Sequence, residues 1–218
     1  MTDLFVTGTD TDVGKTRISV ALISLLAEVG HQVAGMKPIA SGCEVTAQGL
    51  RNHDAVQLSQ QATIKLPYDL INPYAFEPAI APHIAAEQVG VQIKIDVIQQ
   101  HFEQIKQQAD SVVVEGAGGW LVPINQTLML ADIAVRLDLP VVLVVGIRLG
   151  CINHALLTVE SIKQRGLSLY GWVANHVVDC AESAAIIATL KTAISSPCLG
   201  VVPVLAEKEA ITTIRLLA

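Results

Sequence analysis

The chain has 218 residues, 51% of them hydrophobic and 16% charged, with a formal net charge of -6. That length suits one large α/β domain with a sizeable core, and the acidic balance argues against a nucleic-acid or anionic-membrane surface. The four cysteines, Cys43, Cys151, Cys180 and Cys198, are scattered with no Cys-x-x-Cys, so neither a zinc site nor a disulfide framework is indicated and they are expected to be small buried hydrophobes. The apolar runs are too short to span a bilayer and no signal peptide is expected before the first strand, so the expectation is a cytoplasmic enzyme.

The first predicted strand, Leu4–Thr7, runs into a loop bracketed by Gly8 and Gly14. Lys15-Thr16 follows at once. A helix is predicted over Thr16–Val29 from the spacing of Ile18, Ala21, Leu22, Leu25 and Leu26, with Gly30 at its C-cap. Strand, glycine loop, Lys-Thr and helix form a phosphate-binding loop. Backbone N–H groups must wrap a polyanion closely there, and the helix N-terminus favours negative charge. Lys15 supplies a mobile positive charge for the β- and γ-phosphates, and the Thr16 hydroxyl can ligate Mg²⁺. Five residues, Thr9 to Val13, separate the two glycines where the usual pattern has four.

The second predicted strand, Gln32–Lys37, ends at Lys37-Pro38-Ile39-Ala40-Ser41-Gly42. Lys37 can reach a transferred phosphoryl group, or it is an ordinary solvated lysine. Asp54 opens a predicted helix, Asp54–Gln61, as an N-cap or as a Mg²⁺ ligand. Leu66 to Gly90 carries Pro67, Pro73, Pro78 and Pro82 and reads as a long crossover on the rim. After a predicted helix over Ile95–Gln108, the strand Ser111–Glu115 ends in a carboxylate of the kind that holds metal or water in nucleotide enzymes. Gly116-Ala117-Gly118-Gly119 then lets the backbone approach a ligand.

A predicted helix over Leu128–Leu137 and a strand over Val141–Val145 lead to Gly150-Cys151-Ile152-Asn153-His154, which opens a predicted helix over Cys151–Arg165. That opening reads as an anion site or as a plain helix start with Asn153 near the cap. His154 is expected to pack on the helix, and Gly166 to cap it. The strand Leu169–Asn175 ends in Asn175, an amide able to pair with adenine or simply to make a turn. A helix over Glu182–Ile194 and a strand over Leu199–Val202 complete the pattern; residues 207–218 are weakly patterned and receive no assignment. The alternation implies an α/β fold of P-loop NTPase type, a single-domain, doubly wound, mostly parallel sheet over residues 1–218 with ligands at the carboxyl ends of its strands.

Taken together, Gly8-Thr-Asp-Thr-Asp-Val-Gly-Lys-Thr16, Lys37-Pro-Ile-Ala-Ser-Gly42, Gly49-Leu-Arg-Asn-His-Asp54, Asn72-Pro-Tyr74, Ala81-Pro-His83, Glu115-Gly-Ala-Gly-Gly-Trp120, Leu149-Gly-Cys-Ile-Asn-His154 and Gly171-Trp-Val-Ala-Asn175 closely resemble the ATP-dependent dethiobiotin synthetase family. The resemblance covers roughly residues 4 to 205, and the five-residue loop is itself a family trait. It implies a homodimer that converts 7,8-diaminononanoate, CO₂ and MgATP to dethiobiotin, ADP and phosphate, through a carbamate and its mixed anhydride with phosphate. Lys15 and Lys37, with Thr11, would be catalytic. Asp12, Val13, Gly14, Lys15, Thr16 and Arg17, with Asp54, Glu115, Gly116, Ala117 and Gly118, would surround the nucleotide phosphates. Asn175, His176, Pro203, Val204 and Leu205 would border adenine. Thr16, Asp54 and Glu115 would hold Mg²⁺. Thr11, Ser41 and Gly118 would meet the diamine or carbamate, and Gly150, Cys151 and Asn153 would bind the substrate carboxylate across the dimer. His176 stands where the family often has Asp, and Asp12 where it commonly has Glu.

Two other readings share the fold. Cobyrinate amidating enzymes carry a fused glutaminase with a nucleophilic cysteine, for which a chain of this length is expected to have no room. Partition-type and septum-positioning ATPases place a signature lysine five residues before the loop lysine, a position held here by Asp10.

Overall fold

The computed structural model describes residues 3–204 and 214–216. In chain order the elements are β1 (Leu4–Gly8), α1 (Lys15–Glu28), β2 (Val33–Met36), β3 (Ile39–Ala40), β4 (Glu44–Thr46), β5 (Gly49–Arg51), α2 (His53–Gln61), α3 (Tyr68–Ile71), β6 (Tyr74–Ala75), α4 (Pro82–Gln88), α5 (Ile95–Lys106), β7 (Ser111–Glu115), α6 (Leu130–Leu137), β8 (Val141–Ile147), α7 (Cys151–Gln164), β9 (Leu169–His176), α8 (Ser183–Ala193) and β10 (Cys198–Val202).

Six strands form a parallel sheet in the order β10-β9-β8-β1-β7-β2. Strand β1 lies at its middle, with Phe5 opposite both Val114 of β7 and Val141 of β8. Both faces of the sheet are covered, which explains why its strands read as unbroken apolar runs rather than alternating ones. The pleat still sorts the side chains. Leu4 and Val6 point to one face, where Ile18, Leu22 and Leu26 of α1 and Leu58 of α2 cover them. Phe5 points to the other, with Ile98 and Phe102 of α5, Ile133 of α6, Val159 of α7 and Leu190 of α8. The buried Phe5 ring meets Trp120 edge-on at 6.1 Å between centroids.

The six sheet strands and six longer helices agree with the sequence reading to within about two residues. Gly30 and Gly166 close α1 and α7 with φ of 92° and 78°, as expected of residues just past helix ends. The difference lies in the rim. Between β2 and α5 the chain forms an antiparallel hairpin, β4 with β5, and a short parallel pair, β3 with β6, in which Ile39 faces Tyr74. Helices α3 and α4 occupy the proline-rich stretch. Elements this short carry too few residues for a hydrophobic period to register. Past the chain's described break, Ile214 is buried on the α1 face and the Arg215 N–H donates to Leu199 O at 3.0 Å. Leu205, expected beside adenine, lies outside the described residues, as do residues 207–213.

Candidate active site

The parallel sheet brings the carboxyl ends of β1, β2, β7, β8 and β9 to one edge, and the loops that leave them make the site. The loop after β1 is shaped by packing. Val13 is buried between the backbones of β1 and β8: a Cβ on Gly8 would come within 2.5 Å of Val13 Cγ2, and one on Gly146 within 2.8 Å of Val13 Cγ1. Asp12 takes a left-handed φ of 57° and Gly14 one of 88°, which turns successive N–H groups into the loop. The Asn175 amide at the end of β9 donates from Nδ2 to Val13 O at 2.8 Å. Thr9 N–H is held by Val144 O at 3.0 Å, and Arg148 at the end of β8 pairs with Asp10. The loop is thus fixed on both flanks before any ligand arrives.

Lys15 opens α1 and is buried. Its Nζ donates to Asp10 O at 3.0 Å, back across the loop. Burial, then the neighbouring Lys37, lowers the Lys15 ammonium to about 8. Lys37 stands just past β2, and only 4% of its side chain is exposed, so it is no solvated lysine. Its Nζ lies 2.6 Å from Glu115 Oε1 and 2.9 Å from Asp54 Oδ2, and it also donates to Gly116 O at 3.0 Å. Burial pulls its basicity down, but Glu115 and Asp54 outweigh burial and hold it above the usual lysine range. Burial pushes the Asp54 carboxyl up; Lys37 and the Thr16 hydroxyl more than offset this and hold it below the usual carboxylate range.

Asp54 is not the cap of its helix. Helix α2 begins one residue earlier, and Asn52 caps it by accepting from the Ala55 N–H at 3.1 Å. Asp54 is therefore free of capping duty and turns toward Lys37. Thr16, Asp54 and Glu115 come together. The Thr16 hydroxyl donates to Glu115 Oε1 at 2.8 Å, while Glu115 Oε2 is buried with no hydrogen-bond partner. An orphaned buried carboxylate oxygen beside a hydroxyl and a second carboxylate is an all-oxygen donor set suited to Mg²⁺. It contains too few acidic, His or Cys groups to form a metal cage by itself, and none is found among the described residues; Mg²⁺ at nucleotide sites takes few protein ligands.

A cavity of about 860 Å³ opens over these groups. Thr11, Asp12, Gly14, Lys15 and Thr16 line it from the loop, Lys37, Ser41 and Asp54 from the second side, and Ala117 and Gly118 from the third. Ser41 Oγ is buried without a partner. Arg17, in the first turn of α1, is half-buried. The sequence reading missed Asn52, which also lines the cavity, and the rim segment Ala79 to Pro82. The signals for Asn52 were its place ahead of Asp54 and its presence in the matched segment Gly49-Leu-Arg-Asn-His-Asp54.

Other expected site residues lie elsewhere. Asn175 sits behind the loop. Its strand partner Val202 precedes Pro203 and Val204, both exposed, so these three and His176 share one end of the sheet. Gly150, Cys151 and Asn153 are not among the described lining residues of the cavity. Gly150 caps α7 with a φ of 90° and no side chain caps that helix. Asn153 is exposed, and the Cys151 side chain is buried in the core, so only its backbone is available to a ligand. His154 is exposed rather than packed within the chain. It lines a separate hollow of about 430 Å³ with Thr11, Trp120 and Leu157.

A phosphate loop between β1 and α1, with a carboxylate ending β7 beside its Lys-Thr, defines a P-loop nucleotide enzyme. Solved structures agree on the fold: the MinD cell division protein of Aquifex aeolicus superposes with a TM-score of 0.58 at 16% identity, over 93% of this chain and 82% of that one. The signal recognition particle receptor FtsY from Elizabethkingia anophelis does so with a TM-score of 0.55 at 16% identity, over 100% and 62%. A family model described as an AAA domain matches residues 2–212. Among curated proteins, the ATP-dependent dethiobiotin synthetase BioD of Pseudomonas aeruginosa (strain UCBPP-PA14) is 52% identical over 210 residues, 95% of this chain and 92% of that protein. The protein of the same name from Pseudescherichia vulneris is 48% identical over 200 residues, 91% and 83%. The chain belongs to the ATP-dependent dethiobiotin synthetase family.

Proposed function

We propose that this chain is itself an ATP-dependent dethiobiotin synthetase, a ligase that closes a cyclic urea on 7,8-diaminononanoate with CO₂, converting ATP to ADP and phosphate. The observation that carries the reading is the convergence of Lys15, Thr16, Lys37 and Asp54 on a single cavity that Ser41 also lines, with the buried Glu115 bonded to Lys37 and Thr16 behind them.

A neutral amine of the substrate attacks CO₂ and, on losing a proton, becomes a carbamate. A carbamate oxygen attacks the γ-phosphorus, and the bond to the bridging oxygen breaks so that ADP leaves with the electron pair. The second amine then attacks the carbonyl carbon and gives up a proton to solvent, the C–O bond breaks so that phosphate leaves with the electron pair, and the urea ring closes. Phosphoryl transfer of this kind depends on positioning and charge rather than on a protein nucleophile. Lys15 and Lys37 supply the positive charge. Thr11, Ser41 and Gly118 face the carbamate. Thr16, Asp54 and Glu115 would hold Mg²⁺, which when bound neutralises charge on the β- and γ-phosphate oxygens. Asn175, His176, Pro203 and Val204 border adenine. The Asn175 bond to Val13 O directs Nδ2 toward the loop and leaves Oδ1 as an acceptor for the adenine amine.

The working form is a homodimer. Gly150, Cys151 and Asn153 bind the carboxylate of a substrate held mainly by the partner, through the uncapped start of α7. Supporting this are exposed apolar side chains: Leu149 just before that helix start at 96% exposure, and Leu157 further along α7 at 58% with Leu121 in the same hollow at 54%. No helix among the described residues is long and apolar enough to cross a membrane, and a cytoplasmic location matches the use of ATP.

The test is direct. Purified protein supplied with diaminononanoate, bicarbonate and MgATP should form dethiobiotin and phosphate in equal amounts, and omitting any one component should abolish the product. Phosphate release without dethiobiotin, or stimulated by DNA or lipid instead, would overturn the reading.

A further inference from the structure

Lys37 and Asp54 come from different parts of the chain, yet their side chains meet at one site. A second set of hydrogen bonds behind the site joins the two segments. The Asn52 N–H, at the cap of α2, donates to the Tyr68 hydroxyl oxygen at 2.7 Å. The Tyr68 O–H donates to Asn72 Oδ1 at 3.0 Å. Asn72 Nδ2 donates to the main-chain oxygen of Lys37 at 2.7 Å, and the Lys37 N–H donates to Ile71 O at 2.8 Å. The circuit closes in front, where Lys37 Nζ meets Asp54, two residues along from Asn52.

Asn52 and Asn72 are both buried, and the Arg51 guanidinium lies 4.1 Å above the Tyr68 ring, holding it in place. Burial pushes the Tyr68 hydroxyl up, which keeps it a proton donor to Asn72. No atom of Tyr68 or Asn72 is among the described lining of the cavity.

We propose that Tyr68 is a positioning residue: its hydroxyl, accepting from the cap of α2 and donating to Asn72, sets the separation of Lys37 and Asp54 across the site. Helix α3, a single turn on the rim, is then a spacer between the phosphoryl-binding lysine and the acidic end of α2. The assignment rests on the ligase reading only for the product that is assayed.

Tyr68→Phe keeps the ring and removes the link. Misplacing reacting groups by about 1 Å is enough to cost up to about a hundredfold in rate. The expected result is a kcat lower by about tenfold or more, with the KM for ATP within about threefold of wild type. The Asn52 amide, read by hydrogen exchange, should lose protection while the centre of α2 keeps it. In a Lys37→Gln background the same change should lower the residual rate by less than about twofold, because the span no longer serves a lysine. Ile98→Val, a core truncation away from the site, should lower the melting temperature and leave kcat within about twofold, separating position from stability. If Tyr68→Phe folds poorly, Asn72→Asp keeps the acceptor for Tyr68 and removes the donor to Lys37, and should reproduce the loss. An unchanged kcat in both variants, or a full multiplicative loss in the Lys37→Gln background, would overturn the proposal. Wild-type protein that releases phosphate from ATP but makes no dethiobiotin would overturn the ligase reading instead, and the same cycle read on phosphate release would still decide the role of Tyr68.

Discussion

The ammonium of Lys37 lies 2.6 Å from Glu115 Oε1, and Glu115 is fully buried. The same ammonium reaches Asp54, so one lysine pairs with both carboxylates that would hold the metal and offsets half of their charge. On the proposed reading, Lys37 and a divalent cation would share the same two carboxylates, Lys37 holding Oε1 of Glu115 and leaving Oε2 without a partner. On that reading, Lys37 would loosen its hold on the acids when MgATP binds and turn to the phosphoryl group.

Replacing Lys37 by Gln separates those two roles. Turnover should fall by roughly two decades or more, as when an electrostatic stabiliser is lost. Mn²⁺ binding to the nucleotide-free protein, followed by electron paramagnetic resonance, should become tighter by about tenfold, because a like charge has been taken from the metal's position. Weaker Mn²⁺ binding in this variant would show that Lys37 supports the metal rather than standing in its place.

Asp54→Asn and Glu115→Gln test the donor set from the other side. Each should raise the Mg²⁺ concentration that gives half-maximal activity. Glu115→Gln should also destabilise the fold, by about 3–5 kcal/mol, since it leaves Lys37 with one buried carboxylate fewer. An unchanged Mg²⁺ titration in both variants would remove the pair from the metal site.

Lys15 gives a pH dependence with a definite sign. Its ammonium titrates near 8 in the folded chain, against an ordinary value of 10.5. Below pH 8 both states are protonated and the fold carries a buried charge. Between pH 8 and 10.5 the folded chain sheds that proton while the unfolded chain keeps it, so the unfolded state binds more protons and stability rises. The gain is at most about 3 kcal/mol. Lys37, held above its ordinary value, contributes stability that is lost only at still higher pH. Lys15→Met should remove the rise in urea unfolding between pH 8 and 10. On the proposed reading ATP binds the charged form of Lys15, so calorimetry above pH 8 in buffers of different ionisation enthalpy should show proton uptake on binding in wild type, and much less in Lys15→Met.

Gly146 carries no functional group, yet it shapes the phosphate loop. Alanine there would place a Cβ 2.8 Å from Val13 Cγ1. Val13 would have to move, and with it the carbonyl that Asn175 holds. Gly146→Ala should weaken ATP binding by about tenfold or more while costing about 1–3 kcal/mol of stability, as expected for overpacking. The paired change Gly146→Ala, Val13→Ala should recover part of both.

A shared site can be tested by complementation. A Lys15→Gln chain and an Asn153→Trp chain should each be inactive. Mixed and allowed to exchange subunits, they should form dimers in which one site joins an intact phosphate loop to an intact α7 start, and activity should return to that fraction. No recovery after demonstrated exchange, or an active monomer, would rule out the shared site.

The strands and helices of this protein were legible in its sequence because their signal is local. The spacing of Ile18, Leu22 and Leu26 states a helix, and Val112-Val113-Val114 states a strand covered on both sides. The phosphate loop was legible for the same reason, since glycine, Lys15 and Thr16 act within one turn of chain. So was the approach of Glu115, because every parallel strand ends at the same edge. What the sequence could not state were bonds between distant residues. Asp54 read equally as a cap or a metal ligand until Asn52 took the cap, and Lys37 as a phosphoryl-reaching or a solvated lysine until Glu115, far along the chain, closed on it. The Val13 slot, the Asn175 strut and the Tyr68 link are of the same kind. A hydrophobic period or a glycine loop is a property of neighbours along the chain and survives in any fold; a buried ion pair exists only where folding excludes water and brings both partners to one point.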